Sequence, residues 1–170
     1  MKRTILLSAV AVIATVVAAV SASSAQLIDV KPRPEEAGQP SAAANQLERN
    51  KQIVTSFYNM VFRDHQVVEG FTTYVGDRYT QHNPAVPDGS APAIGFFVPY
   101  FASNPEAKSE IKRVIAEGDL VVLHVHARQK ATDLGRAIVD IFRVEAGKIV
   151  EHWDVIQAVP AQAANTNTMF

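Results

Sequence analysis

The sequence predicts an α+β fold, in which helices come first and an antiparallel sheet follows. Two observations lead to this prediction. Apolar residues recur at helical spacing up to residue 101, and they alternate at strand spacing from residue 109 onward. Short turns at Glu117–Asp119 and Glu145–Gly147 join the strand segments. Because such short connections leave no room for a crossover, neighbouring strands are expected to run antiparallel.

Residues 1–25 have the pattern of an export signal. Lys2 and Arg3 give a positive start, an apolar stretch follows, and Ser21–Ala25 is rich in small residues. The apolar stretch is short for a membrane span of roughly 20 residues. We expect cleavage before Gln26 or after Ala22, which would leave a secreted or periplasmic protein with no membrane attachment. An uncleaved membrane anchor is the alternative.

The rest of the chain divides into a leader, one domain and a tail. Residues 26–45 contain Pro and Gly with scattered charge and predict a flexible leader. Residues 46–159 form the domain, and residues 160–170 form a polar, Ala-rich tail that ends in Met169 and Phe170. A domain of this length can bury a core of its own.

Three helices are predicted at the start of the domain. Asn45 is the predicted N-cap of the first, with Glu48 completing a capping box. Asp64 is the predicted N-cap of the second, which Gly76–Asp77 would end. Ser90 opens the third, in which Pro99 is expected to cause a kink or an early end.

Four strands follow, and they place ionisable groups among apolar ones. The predicted strands are residues 109–116, 120–128, 137–144 and 148–157. Asp140 lies inside an apolar strand between Val139 and Ile141. A carboxylate there must be hydrogen-bonded, paired or held protonated, and such a group can exchange a proton during a reaction. A structural carboxylate paired with Arg128, Arg136 or a histidine is the alternative.

The strand faces decide which polar side chains can meet. Alternation places His124 and His126 on one face of their strand, and His152 and Asp154 on one face of the last strand. We expect these faces to line one cavity with Asp140. Convergent ionisable groups in an otherwise apolar cavity are typical of a small-molecule site.

Composition excludes several classes of function. The formal net charge is −1 and no basic run follows the first residues, so no nucleic-acid partner is expected. With 0 cysteines, disulfides, thiol nucleophiles and thiolate metal sites are excluded. No phosphate-binding glycine loop and no nucleophile elbow is present, so no cofactor is expected.

Four blocks of sequence resemble the SnoaL-like polyketide cyclase family of the nuclear transport factor 2-like superfamily. The blocks are Tyr79–Pro84, Gly118–Val121, Val139–Val144 and Gly147–Asp154, in the family's order. The resemblance covers roughly residues 47–170. It implies a cone of three helices packed on a strongly curved antiparallel sheet that encloses a pocket. Many relatives form homodimers through the outer face of the sheet, which implies the same here.

The resemblance also implies a set of site residues. Asp140 matches the family's acid/base aspartate, and His126 matches the histidine that accompanies it. The ketosteroid isomerases of the superfamily carry a base in the loop that here consists of His82-Asn83-Pro84, where no carboxylate stands. Ordinary ketosteroid isomerase chemistry is therefore not expected. The remaining predicted ligand contacts come from both halves of the domain: Tyr79, His82, Asn83, His124, Phe142, His152 and Asp154.

Three functions remain open at this point. The first is a cofactor-free cyclase, lyase or isomerase that acts on a small apolar carbonyl compound. The second is a non-catalytic carrier or sensor with the same fold. The third is a metal-dependent enzyme, because His124 and His126 could chelate a metal ion from one strand face.

Overall fold

The computed structural model describes residues 40–170. The predicted export signal and residues 26–39 of the predicted leader lie outside the described residues. Three helices and five strands follow in the order α1 (Ala42–Phe62), α2 (Val67–Tyr74), β1 (Val75–Gln81), α3 (Ser90–Ser103), β2 (Lys108–Glu117), β3 (Leu120–Arg128), β4 (Arg136–Glu145) and β5 (Lys148–Ala158). In residues 40–170, no helix is both long and apolar enough to cross a membrane.

Helix α1 begins one turn earlier than predicted. Its N-cap is Ser41, whose side-chain oxygen accepts a hydrogen bond from the backbone N–H of Ala44, and not Asn45. Alanine is the strongest helix former, so Ala42–Ala44 extend the helix upstream. The last residues assigned to the leader are therefore helical.

The second helix also differs from its prediction, while the third begins where expected. Asp64 forms an ion pair with Arg63 and caps no helix, and α2 starts at Val67 instead. It ends at Tyr74, because the chain turns directly into β1. Helix α3 starts at Ser90 and runs through Pro99.

The five strands form one curved, open sheet in the order β1-β5-β4-β3-β2. Strands β2 to β5 are the predicted antiparallel meander. Strand β1 pairs in parallel with β5. The sheet is therefore mixed, whereas the sequence predicted a purely antiparallel one. This pairing sets Gln81 beside His152, and both residues belong to the site described below.

The core lies between the helices and the inner face of the sheet. Its fully buried side chains include Phe57 of α1, Leu123 of β3 and Phe142 of β4. The Phe57 ring meets the Phe142 ring edge-on, at 5.9 Å between centroids. Burying each such side chain stabilises the fold by about 1.5–3 kcal/mol. This burial fixes which face of the strands is the inner one, because a register shift of one residue would turn Leu123 and Phe142 to the outer face.

Candidate functional site

A cavity of about 490 Å³ lies between the helices and the inner face of the sheet, beside the packed core. This volume falls within the range of roughly 300–1,000 Å³ that is typical of small-molecule sites. Its wall is mostly aromatic and aliphatic, with contributions from all three helices and from the loop between β1 and α3. Polar side chains interrupt this wall, and one group of them gathers around Asp140.

Asp140 occupies the centre of β4 and points into this cavity. It pairs across the sheet with Leu123 on β3 and with Asp154 on β5. Directly paired residues of antiparallel strands point to the same face, and Leu123 is a core residue. Asp140 is only 6% exposed. The predicted placement of an acid among apolar groups is therefore confirmed.

Two side chains hold the Asp140 carboxyl group. The Tyr58 hydroxyl donates to Asp140 Oδ2 at 3.0 Å, and His152 Nε2 lies 3.1 Å from Asp140 Oδ1. Burial raises the pKa of Tyr58 well above its usual value, and the negative charge of Asp140 raises it further. The phenol therefore keeps its proton and remains a hydrogen-bond donor to the carboxyl group.

The tautomer of His152 follows from its second contact. Gln81 Oε1 accepts the backbone N–H of Asn83 at 2.9 Å, and His152 Nδ1 lies 2.9 Å from the same atom. A backbone N–H can only donate, so this Gln81 atom must be the carbonyl oxygen. His152 Nδ1 must then carry a hydrogen in order to bond to it. Only Nε2 is left to gain or lose a proton.

Asp140 and His152 consequently share one proton. Their contact requires that proton either on His152, as imidazolium and carboxylate, or on Asp140, as neutral imidazole and carboxylic acid. Each arrangement keeps the hydrogen bond from His152 Nδ1 to Gln81 and the hydrogen bond from Tyr58 to Asp140. The pair can therefore hold its proton at either end and keep its contacts with Gln81 and Tyr58.

Asp154 lies beside the pair and anchors the loop at the cavity. Both its oxygens lie within hydrogen-bonding distance of Asn83 Nδ2, at 2.9 and 2.7 Å. Asn83 Oδ1 in turn accepts the backbone N–H of Ala85. Asn83 therefore links the loop after β1 to the last strand, and its backbone N–H fixes the Gln81 side chain. Both Asn83 and Asp154 line the cavity, as predicted.

Tyr79 and Phe142 also line the cavity as predicted. Burial raises the pKa of Tyr79, and the charges of Asp140 and Asp154 raise it further. The Tyr79 hydroxyl thus stays protonated and can donate a hydrogen bond to a ligand. Phe142 packs against the His152 ring at 4.8 Å between centroids and limits its movement.

The expectation that His124 and His126 share a cavity with Asp140 is wrong. His126 pairs with Ala137 and His124 with Val139, which places both rings on the outer face of the sheet. There the His126 ring stacks on Phe170 of the tail at 4.1 Å between centroids. The hydrophobic effect explains the difference, because the alternating Val121, Leu123 and Val125 are fully buried and occupy the inner face of β3.

The two outer histidines are also engaged with other partners. His124 Nδ1 accepts a hydrogen bond from Arg113, and His126 Nε2 donates to the carbonyl oxygen of Leu134, each at 2.8 Å. Neither residue contacts Asp140. The histidine that accompanies Asp140 is therefore His152 on the following strand, and not His126 on the preceding one.

His82, which was predicted to contact a ligand, lies outside the cavity wall. Its Nε2 is 2.9 Å from Glu151 Oε1, and its ring stacks on Trp153 at 4.6 Å between centroids. Glu151 and Trp153 alternate with His152 and belong to the outer face of β5. His82 and Asn83 thus point to opposite sides of the sheet.

One group of side chains in residues 40–170 has the spacing of a metal site. Asp140, His152 and Asp154 each offer one ligand atom, and these atoms lie within 4.8 Å of one another. Such oxygen and nitrogen donors suit a divalent cation. The same atoms already form the hydrogen bonds with Tyr58, Asn83 and each other, so a cation would have to displace the Asp140–His152 contact. His124 and His126 belong to no such group.

Sequence reasoning missed two members of this site. Tyr58 follows Phe57 on α1 and resembles any other helix residue, since nothing in its neighbourhood distinguishes its hydroxyl from that of Tyr74 or Tyr100. The sequence does contain a signal for Gln81. In a strand, Gln81 lies on the same face as Tyr79, so a predicted cavity contact of Tyr79 also predicts one for Gln81.

Comparisons with known proteins identify the family and the fold. A family model described as a SnoaL-like domain matches residues 54–152. That match includes α2, α3, β1 to β4, Asp140 and His152. No curated protein matches the chain.

Several solved structures share the fold. A candidate polyketide cyclase from Bacillus cereus is 20% identical, with a TM-score of 0.58, over 69% of this chain and 80% of its own. A candidate polyketide cyclase from Acidithiobacillus ferrooxidans is 17% identical, with a TM-score of 0.53, over 64% and 87%. A candidate hydroxylase from Streptomyces galilaeus is 21% identical, with a TM-score of 0.52, over 65% and 90%. At these identities the likeness establishes the fold alone.

Proposed function

Because this chain belongs to the SnoaL-like domain family, which has the nuclear transport factor 2-like fold, we propose that it is an exported acid/base enzyme. Its reaction is of the cyclase, lyase or isomerase type, and its substrate is a small, largely apolar compound with a carbonyl group. Asp140 is the proton-transfer residue, and His152 takes the role that the family resemblance implied for His126. The mechanism needs no cofactor.

The observation that supports this proposal is the buried contact between Asp140 and His152 at the cavity wall. Asp140 is 6% and His152 8% exposed, yet each polar atom of the pair has a partner. A buried carboxyl group surrounded by fixed donors and facing an apolar cavity is suited to general acid/base catalysis. A purely structural pair would not need the adjoining cavity.

In the proposed reaction, the Asp140 carboxylate removes a proton from the carbon next to the ligand carbonyl. The C–H bond breaks, an O–H bond forms on Asp140, and the electron pair moves to the carbonyl oxygen as an enolate. In a cyclase, the enolate carbon then attacks a second carbonyl of the same molecule. Asp140 returns its proton to the resulting alkoxide, so that atoms and charge balance.

The surrounding residues stabilise the charges that this sequence creates. The shared proton rests on His152 while Asp140 is a carboxylate, which keeps the buried pair neutral overall. Tyr79, whose pKa is raised by burial, can donate its hydroxyl hydrogen to the enolate oxygen. The apolar wall excludes water and thereby strengthens these interactions.

Proton exchange on a simple ketone tests the proposal without knowledge of the natural substrate. 2-Tetralone carries acidic protons next to its carbonyl, and their replacement by deuterium can be followed by proton NMR in D₂O. The wild-type protein should accelerate this exchange. Asp140→Asn should reduce the acceleration by roughly 10²- to 10⁴-fold, the usual contribution of general acid/base catalysis.

Asp77→Asn is the matched control, because Asp77 is an exposed carboxylate outside the cavity wall. It should exchange 2-tetralone at the wild-type rate. Equal exchange by wild type and Asp140→Asn would refute the role of Asp140. No acceleration by the wild type would refute the proposed chemistry.

A carrier or sensor is the second candidate, and the cavity itself supports it. Its aromatic wall could hold an apolar ligand whether or not a proton moves. In that case Asp140→Asn would leave ligand affinity nearly unchanged, and neither protein would accelerate exchange.

We also propose that the protein forms a homodimer through the outer face of the sheet. Ile115 of β2 and Val155 of β5 are 61% and 70% exposed there, and Val139 of β4 lies between them. An exposed apolar sheet face of this kind favours association with a second copy. The proposed export rests on the signal pattern of residues 1–25.

A further inference from the structure

Three cationic residues border one end of the cavity. Lys108 begins β2, Arg128 ends β3 and Arg136 begins β4, and all three contribute to the lining. Lys108 and Arg128 are direct partners in the sheet, while Arg136 pairs with Ala127, the neighbour of Arg128. By alternation, Lys108 and Arg128 share the outer face of the sheet with His126, whereas Arg136 shares the inner face with Asp140. Arg136 is therefore the cation of this group whose side chain is on the cavity face.

No carboxylate of residues 40–170 forms an ion pair with these three cations. The two acids of the cavity wall are already bonded, Asp140 to Tyr58 and His152 and Asp154 to Asn83. Glu110 feels the charge of Arg128, but its ion pair is with Lys112, at 2.7 Å.

The cavity wall thus separates its charges along β4. Arg136 and Asp140 point to the same face of the strand and are four residues apart, which corresponds to about 13 Å. Ile138 lies between them, beside Ile156 of β5. Ile156 is 45% exposed although it lines the cavity. A path from the outside to Asp140 therefore begins with a cation and continues over apolar side chains.

We propose that the ligand is an amphiphilic carboxylate, whose carboxylate group contacts Arg136 while its carbonyl group lies at Asp140. The planar guanidinium group of Arg136 can bind a carboxylate through two hydrogen bonds. The apolar middle of the ligand packs on Ile138 and Ile156. This inference rests on the ligand class of the proposed function and adds a charged end to it.

A matched pair of probes tests this inference. 6-(Naphthalen-2-yl)-6-oxohexanoate has a ketone, an apolar ring system and a carboxylate, and its methyl ester lacks only the charge. Calorimetric titration should give tighter binding of the acid than of the ester by about three- to tenfold, the effect expected for a partly exposed charged contact. Arg136→Gln should reduce this preference to less than about twofold.

Arg49→Gln is the matched control, because Arg49 is an exposed arginine of α1 outside the cavity wall. It should keep the wild-type preference for the acid. Equal affinity for acid and ester, or an equal loss of preference in both variants, would overturn the charged end alone. Failure of both probes to bind the wild type would also contradict the apolar carbonyl ligand of the proposed function.

Discussion

Replacement of Asp140 by Asn should remove proton transfer and leave the fold intact. Because Gln81 holds the hydrogen on His152 Nδ1, His152 Nε2 can accept a hydrogen bond. The side-chain amide that this substitution introduces can donate to Nε2 while its carbonyl oxygen accepts from Tyr58. Asp140→Asn therefore imitates the form in which Asp140 carries the shared proton.

The two hydrogen bonds give the magnitudes. Asp140→Asn keeps both, so the free energy of unfolding should stay within about 1 kcal/mol of the wild-type value. Asp140→Ala leaves the Tyr58 hydroxyl and His152 Nε2 buried without a partner. Each loss costs about 1–3 kcal/mol, so this variant should be about 2–6 kcal/mol less stable.

Urea unfolding of the two variants, together with the 2-tetralone exchange rate, checks this reasoning. For a domain of this size, 1 kcal/mol corresponds to roughly 2–5 °C in Tm, so heating gives the same order of stabilities. An Asp140→Asn protein that unfolds as early as Asp140→Ala would show that the shared-proton arrangement is wrong. Wild-type exchange by Asp140→Asn would show that Asp140 is structural.

Three further predictions concern other parts of the account. Gln81→Leu should leave His152 free to adopt both neutral tautomers, and ¹⁵N NMR would detect this mixture. A single, unchanged tautomer would contradict the role of Gln81. Val155→Glu should convert a dimer into a monomer in sedimentation experiments, and a wild-type protein that is monomeric at micromolar concentration would refute the proposed interface. Arg143 and, after it, His82 lower the pKa of Glu151 below its usual 4.5. The native state therefore binds fewer protons than the unfolded state. Glu151 thus contributes stability above pH 4.5, and this contribution is lost as the pH falls through the lowered pKa. Glu151→Gln should therefore reduce the change in urea midpoint between pH 6 and pH 3, and an unchanged midpoint profile would contradict this.

Much of the fold could be predicted from local pattern. The strand boundaries of β2 to β5 follow from alternation and from the glycine turns at Gly118 and Gly147, both of which have a positive φ. The edge strand β1 could not be predicted as such. Its partner β5 lies far along the chain, and no local pattern states which strand will pair with it.

The error over His126 has a different cause. Both faces of β3 carry apolar residues, so alternation separates the two sets without saying which one is buried. The Val121, Leu123 and Val125 set could have been recognised as the core because it contains no polar member. The prediction for β4 succeeded because Asp140 shares its face with Phe142, whose burial is unambiguous.

The central claim is that Asp140 and His152 share one proton while Gln81 fixes the hydrogen on His152 Nδ1. ¹⁵N NMR of the His152 ring, recorded across the pH range in which the protein stays folded, tests it most directly. We expect Nδ1 to remain protonated throughout and Asp140→Asn to alter the signal of Nε2 alone. A His152 ring that is protonated at Nε2 and bare at Nδ1 at neutral pH would contradict it.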